Sequence, residues 1–419
     1  MKKCLGLMVL VGLFLTFGQA WACTGLVVTD GDQVLVGNNE DYFNPRTKIW
    51  FVQPVKDRYG SIAFGYDDLR SQGGMNQKGL FFDAYALKPR DVTGQEGKAR
   101  FKGNQMKEVM ATCATVPKAL DLLDKYSRSQ MSSYQYFLAD ANGDAAIVEG
   151  ETIIRKTGDY QVVTNFRQSE TPSTNITCPR YLIARDMLEK RSEVSVPMVR
   201  RILAATHQEG GSETLYSNIY DLKARKVHVY YFHNFQEEVV IDLEKELENR
   251  TGILDLPNQF PPSYAAQVFT ARFTNLKKTY THASPRFEVH YPDIYETAPP
   301  LDENQVFMAA SRYGQVPVLT VSVFDADPKM NLSQVVGGLY AQELRKFGTE
   351  VRVISSEPTR LADDTAAYET RISWRWRDKT KLNTLVVSVL REGKRINVAL
   401  HNTGELDYLK HIPYSLSFK

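Results

Sequence analysis

Lys2 and Lys3, an apolar run from Leu5 to Phe17, and the small residues Ala20 and Ala22 around Trp21 make up a secretory leader, with its cut predicted between Ala22 and Cys23. Everything from Cys23 onward is therefore expected to fold after export, in the periplasm or outside the cell, starting from a cysteine. The apolar run falls short of the ~20 residues a membrane span requires, and no later stretch approaches that length. An integral membrane protein is thereby disfavoured.

The 419 residues are 43% hydrophobic and 24% charged, with a net charge of +2. That composition supplies apolar cores for two or three domains and lacks the basic excess that nucleic-acid binding needs. Of the four cysteines, Cys4 leaves with the leader, so Cys23, Cys113 and Cys178 remain. An odd number in an oxidising compartment leaves a thiol over, and Cys23 is the candidate. Whether Cys113 and Cys178 bond to each other depends on a Cα separation that sequence does not give.

The pattern after Cys23 is of strands first. "TGLVVTD" and "QVLVGNN" read as a hairpin around Asp30-Gly31-Asp32, "YQYFLADANGDAAIVEG" (134–150) as a second around Asn142-Gly143, and "YQVVTN" (160–165) as another strand. Helical spacing appears over 105–126, with a break near Pro117, and again over 180–190 and 197–207. Without strict βαβ alternation, an α+β fold with largely antiparallel sheets and outer helices is expected. The boundaries read as leader 1–22, first domain 23–255, a proline-rich linker 256–283, and a smaller α+β accessory domain 284–419.

Cleavage before Cys23 would put a thiol and a free α-amine on one Cα. The amine titrates near about 7.7–8.0 and the thiol near about 8.5, so the pair can pass a proton without a histidine. One residue can then serve as nucleophile and base.

The stretch "CTGLVVTDGDQVLVGNNEDY" resembles the start of the N-terminal-nucleophile (Ntn) cysteine hydrolases, the group of choloylglycine hydrolases, penicillin V acylases and linear amide C–N hydrolases, with relatives in acid ceramidase and the isopenicillin N acyltransferases. Gly37-Asn38-Asn39-Glu40-Asp41 falls where the family carries a Gly-Arg-Asn-x-Asp motif. "GGMNQKGLFFD" (73–83), "VVTN" (162–165), "CPRY" (178–181) and "SETLYSNIYDLKARKVHVYYF" (212–232) are similar to later family segments, so the resemblance spans 23 to about 245. It implies an αββα sandwich without cofactor or metal, acting on a small N-acyl amide. In that scheme Cys23 attacks, Asp41 orients the α-amine, Asn76 helps hold the oxyanion, Asn165 is a second polar contact, and Arg180 stands beside the cysteine. Asn38, Asn39, Phe64 and Phe82 are the expected substrate contacts. Where many members have arginine this chain has Asn38, which weakens thiolate stabilisation and leaves the head group undefined.

Plainer readings accompany these. Asn38, Asn39 and Asp41 suit a turn, Asn76 a cap before Gly79, and Arg180 a helix surface. Trp50, Phe51, Phe64, Tyr66, Phe81, Phe82 and Tyr85 suit a sheet core as well as a pocket for an apolar acyl group. His228 and His233, five residues apart on a strand, would face opposite ways and share no metal. The alternative to an enzyme is a lipoprotein anchored through Cys23, with a decayed hydrolase domain and a partner-binding second domain. That second domain faintly resembles PsbP and Mog1-like modules. Its partner, and any self-association, are not legible in the sequence.

Overall fold

The computed structural model describes residues 23–210, 212–249, 252–312, 316–327 and 338–418. The leader lies outside them. Contacts divide the described residues into one unit ending at Ala265 and a second beginning at Ala266.

The first unit holds two antiparallel sheets. In the first, β1 (Thr24–Thr29) and β2 (Val34–Tyr42) form the predicted hairpin. Asp30 Oδ1 closes its turn by accepting from the amides of Asp32 and Gln33. The second sheet is built from β3 (Thr47–Val52), β4 (Ser61–Tyr66), β5 (Ser71–Asn76), β6 (Phe81–Ala86), β7 (Tyr134–Ala139), β8 (Ala145–Glu149) and β9 (Thr152–Arg155), joined in that order. The chain then returns to the first sheet with β10 (Tyr160–Val163), β11 (Glu213–Asp221), β12 (Lys226–Tyr231) and β13 (Asn234–Asp242), giving the order β10-β1-β2-β11-β12-β13. A last strand, β14 (Gly252–Asp255), pairs with β3 at the edge of the second sheet, where Asp255 takes a 2.8 Å bond from Lys48.

Helices cover the outer faces. α1 (Gln105–Thr112), capped by the Asn104 side chain, and α2 (Val116–Asp124), with Pro117 in its first turn, bury Met106, Val109, Leu120 and Leu123 against Phe82, Leu138 and Val148 of the second sheet. α3 (Pro179–Glu189) and α4 (Val196–Thr206), the latter capped by Ser195, bury Ala184, Leu188, Val199 and Leu203 against Leu26, Val28 and Ile219 of the first. Between the sheets, Phe64 packs on Tyr216 and Tyr220, and Phe81 on Tyr220 and Phe137. The layers therefore run helix, sheet, sheet, helix. Cys113 closes α1 on one face and Cys178 opens α3 on the other, and both are free thiols.

The stretch expected to be a linker, 256–283, is structured. Helix α5 (Leu243–Asn249) precedes it, and α6 (Tyr264–Thr274) and β15 (Leu276–Ala283) lie inside it. Ala266, Phe269 and Phe273 are the buried positions of α6, at helical spacing that the prolines just before it obscured. In β15 alternate residues are exposed, and lysines and threonines on that face hide the period from a sequence reading.

In the second unit β15 pairs with β16 (Arg286–Pro292). A separate seven-stranded antiparallel sheet includes the hairpin-linked segments Gly348–Arg360, Ala366–Trp376, Lys381–Arg391 and Lys394–Asn402. The helix Gly338–Leu344 packs on this sheet through Tyr340 and Leu344, against Ile372, Trp374 and Val386. A cavity of about 400 Å³ beside that helix is lined by Tyr340, Phe347, Trp374, Trp376 and His401, among others. It contains none of the residues expected to be catalytic. No helix among the described residues is long and apolar enough to cross a membrane.

Candidate active site

Cys23 immediately precedes β1 and is 4% exposed. Its Sγ lies 3.8 Å from the Asp41 carbonyl oxygen, to which the thiol donates. The hairpin register explains the closeness: Thr24 faces Asn39 across the β1–β2 ladder, so the start of β1 meets the end of β2.

Arg180 reaches the same place from the first turn of α3. Its guanidinium donates to the Cys23 carbonyl at 2.5 Å, to Thr24 Oγ1 at 2.8 Å and to Asn165 Oδ1 at 3.3 Å, and stands 3.9 Å from Asp41 Oδ2. Asn165 in turn donates to the Ala86 carbonyl. Asp41 Oδ1 accepts from the Thr214 hydroxyl, whereas its buried Oδ2 accepts no hydrogen bond among the described residues. Cys23, Asp41, Asn165 and Arg180 are thus brought together.

Asn76 is not part of this group. At the end of β5 it donates to the Met110 and Cys113 carbonyls, both at 2.8 Å, and accepts from the amides of Lys78 and Leu80, both at 3.0 Å. It closes the β5–β6 turn and caps the C-terminus of α1, so its amide has no donor left for an oxyanion.

Strand alternation corrects the substrate contacts as well. Asn39 points to the helical layer, donating to Leu203 O and Thr206 Oγ1 and accepting from Ser217. Phe82 is in the core beneath α1 and α2. Phe64, fully buried, is packed between the sheets against Tyr216, itself a neighbour of Glu40 and Cys23. Asn38 belongs to the Cys23 surroundings: Tyr85 donates to its Oδ1 at 2.7 Å, and its amide approaches Glu40 Oε2 at 3.4 Å.

That contact depends on a glycine. A Cβ on Gly25, which pairs with Asn38, would sit 2.0 Å from the Tyr85 hydroxyl. No side chain larger than hydrogen fits there.

Several residues not singled out from the motifs complete the site. Glu40 shares a face of β2 with Asn38 and accepts from the Tyr66 hydroxyl at 3.2 Å. Burial, then Glu40, Asp41 and Asp83, push the Cys23 thiol well above its usual value. Burial likewise raises Asp41, opposed by the Thr214 hydrogen bond and by Arg180. Asp83 is raised by burial and by Glu40. Period-two spacing from Asn38 was the signal for Glu40, and the aromatic run already contained Tyr66 and Tyr85. Thr214 had no local signal, because its role rests on a pairing 173 residues away in sequence.

Burial lifts the Glu40 carboxyl from the ordinary 4.5 to about 7. Between those values the folded protein keeps a proton that the unfolded chain has released, so stability falls as pH rises through the window and is fully reduced above it. Glu40→Gln is expected to be more stable than the wild type at pH 8, by roughly 3 kcal/mol, with the gap closing toward pH 4.5. Urea denaturation at stepped pH measures this, and parallel profiles for the two proteins would refute it.

Residues 28–236, which begin after Cys23 and lie within the first unit, match the family model of acyl-coenzyme A:6-aminopenicillanic acid acyl-transferase. Among solved structures, the chain is similar to penicillin V acylase from Agrobacterium tumefaciens, at 17% identity over 56% of this chain and 91% of that one, with a TM-score of 0.41. It is also similar to cyanobacterial PsbP (CyanoP) from Synechocystis sp. PCC 6803, at 14% identity over 34% of this chain and 92% of that one, with a TM-score of 0.29. No curated protein matches the sequence.

Proposed function

We propose that this protein is an exported hydrolase of linear, non-peptide amides, in which removal of residues 1–22 makes Cys23 the N-terminal nucleophile and its α-amine the base. The observation that carries this reading is the buried Asp41 Oδ2, which faces Arg180 at 3.9 Å and accepts no hydrogen bond among the described residues, in the residue whose carbonyl the Cys23 thiol meets. A new α-ammonium group on Cys23 has the hydrogens that this oxygen lacks.

The raised thiol implies that sulfur keeps its proton until attack. As Sγ bonds to the amide carbonyl carbon, the proton passes to the α-amine. Collapse of the tetrahedral intermediate breaks the C–N bond, and the ammonium returns the proton to the departing amine. Water, deprotonated by the same amine, then releases the acid from the thioester. Arg180 fixes the Cys23 backbone, and Asn165 holds Arg180. With Asn76 occupied elsewhere, the oxyanion is left to donors near Cys23; the Tyr66 and Tyr85 hydroxyls already donate, whereas Asn38 gives only one of its two amide hydrogens, to Glu40.

Mass spectrometry of protein recovered from an exporting host tests both steps. A chain beginning at unmodified Cys23 is expected, and rapid quenching with an N-acyl amide should add the acyl mass to its N-terminal peptide. Lipid on Cys23, a start elsewhere, or turnover with the acyl group trapped on another residue would sink the proposal.

A further inference from the structure

Beyond α4 the chain gathers a second group of reactive side chains that the acylase reading does not use. His207 follows α4, Glu209 lies in the next loop, Glu213 opens β11, and His233 occupies the turn between β12 and β13. One potential ligand atom from each of His207, Glu209 and His233 lies within 4.8 Å of the others.

Both rings face carboxylates, and the hydrogen bonds of His207 leave it a lone pair there. His207 Nδ1 is 2.6 Å from the Ala204 carbonyl, which accepts only if Nδ1 carries hydrogen. In the neutral ring Nε2 is then a lone pair, yet it stands 2.9 Å from Glu209 Oε1. Two acceptors at that distance need a cation between them: a proton, or a metal. Two ligands about 2.0–2.2 Å from one tetrahedral metal ion stand about 3.4 Å apart, a separation that a small turn of the Glu209 carboxylate reaches. His233 supplies the independent sign. Its Nε2 is buried without a hydrogen-bond partner and lies 3.6 Å from Glu213 Oε2, while the ring also bonds to the Gln208 backbone and Nδ1 is 3.9 Å from Glu209 Oε1. The two imidazole rings are 5.1 Å apart.

We propose that His207, His233 and Glu209 form a site for a divalent transition-metal ion of the Zn²⁺ type, with Glu213 supporting the ring of His233. Two imidazoles and one carboxylate favour such an ion over Ca²⁺ or Mg²⁺, which prefer oxygen-only sets. The Glu209 side chain is 67% exposed and free to turn inward, so closing the ligand set asks little of the backbone. The metal would tie the loop after α4 to the β12–β13 turn. Thr214, at the end of that loop, is bonded both to Gln208 and to Asp41, so the clamp lies next to the support of the proposed active site. The proposal itself stands independently of the acylase reading.

The full exported chain, stripped with a chelator, would be titrated with Zn²⁺ by calorimetry and with Co²⁺ by absorption. One equivalent is expected to bind with micromolar or tighter affinity. His207→Ala and His233→Asn should each weaken binding about 100-fold. Asparagine is chosen at 233 because it tolerates the positive φ of 64° found there. His228→Ala, which alters a histidine paired instead with Glu238, should bind as the wild type does. Affinity no tighter than millimolar, equal affinity in all variants, or a thiolate-to-cobalt charge-transfer band would overturn the proposal. Protonated His207 would then account for the 2.9 Å contact.

Discussion

Cys23→Ser is expected to cut turnover of an N-acyl amide by at least about 10³-fold while leaving the fold in place. The exchange is nearly isosteric, and the sulfur makes one weak 3.8 Å contact with the Asp41 carbonyl, so little stability depends on it. Chemistry depends on it heavily. A serine hydroxyl surrounded by Glu40, Asp41 and Asp83 is harder to deprotonate than a thiol, and an amine that titrates near pH 8 is poorly matched to it. Steady-state kinetics beside a urea curve reads both quantities. Turnover within a few-fold of wild type would remove Cys23 as nucleophile.

Asn76→Ala should do the reverse. Four hydrogen bonds with backbone groups disappear, two of them donated to carbonyls at the C-terminal end of α1, and the expected loss of stability is about 3–5 kcal/mol. Turnover per folded molecule should change by less than about threefold. An oxyanion donor would instead show a 10²–10³-fold loss in rate, approximately, with stability little altered. That second pattern would restore Asn76 to the reaction.

The contrast shows which information the sequence carried. Hairpins signalled by Asp30-Gly31-Asp32 and Asn142-Gly143 were legible because turn chemistry is local. The helices 105–126, 180–190 and 197–207 were legible through their apolar period. Cys23, Asp41, Asn165 and Arg180 could be grouped from motif order alone. Motif order does not say where a side chain points. Asn39 and Asn38 are neighbours in sequence, yet one bonds α4 and the other Tyr85, because adjacent residues on a strand face opposite sides. Phe82 and Phe81 separate the same way, one under helices and one between sheets. The metal-like cluster was invisible for another reason. His228 and His233 were compared as strand residues, whereas His233 lies in a turn and its neighbour is His207, 26 positions earlier.

One irregularity in the β2–β11 ladder has a consequence for how such a site can change over generations. Asp41 pairs with Thr214 and Glu40 with Tyr216, so Leu215 is an extra residue. With all residues kept and the pairing regular, Leu215 would stand against Asp41 and the threonine hydroxyl would move one place along. The bulge therefore sets a hydroxyl rather than a hydrocarbon beside the buried carboxylate, without altering any of the residues that carry the chemistry. The register of two strands, and not only the residues they bear, is what a descendant of this chain has to keep.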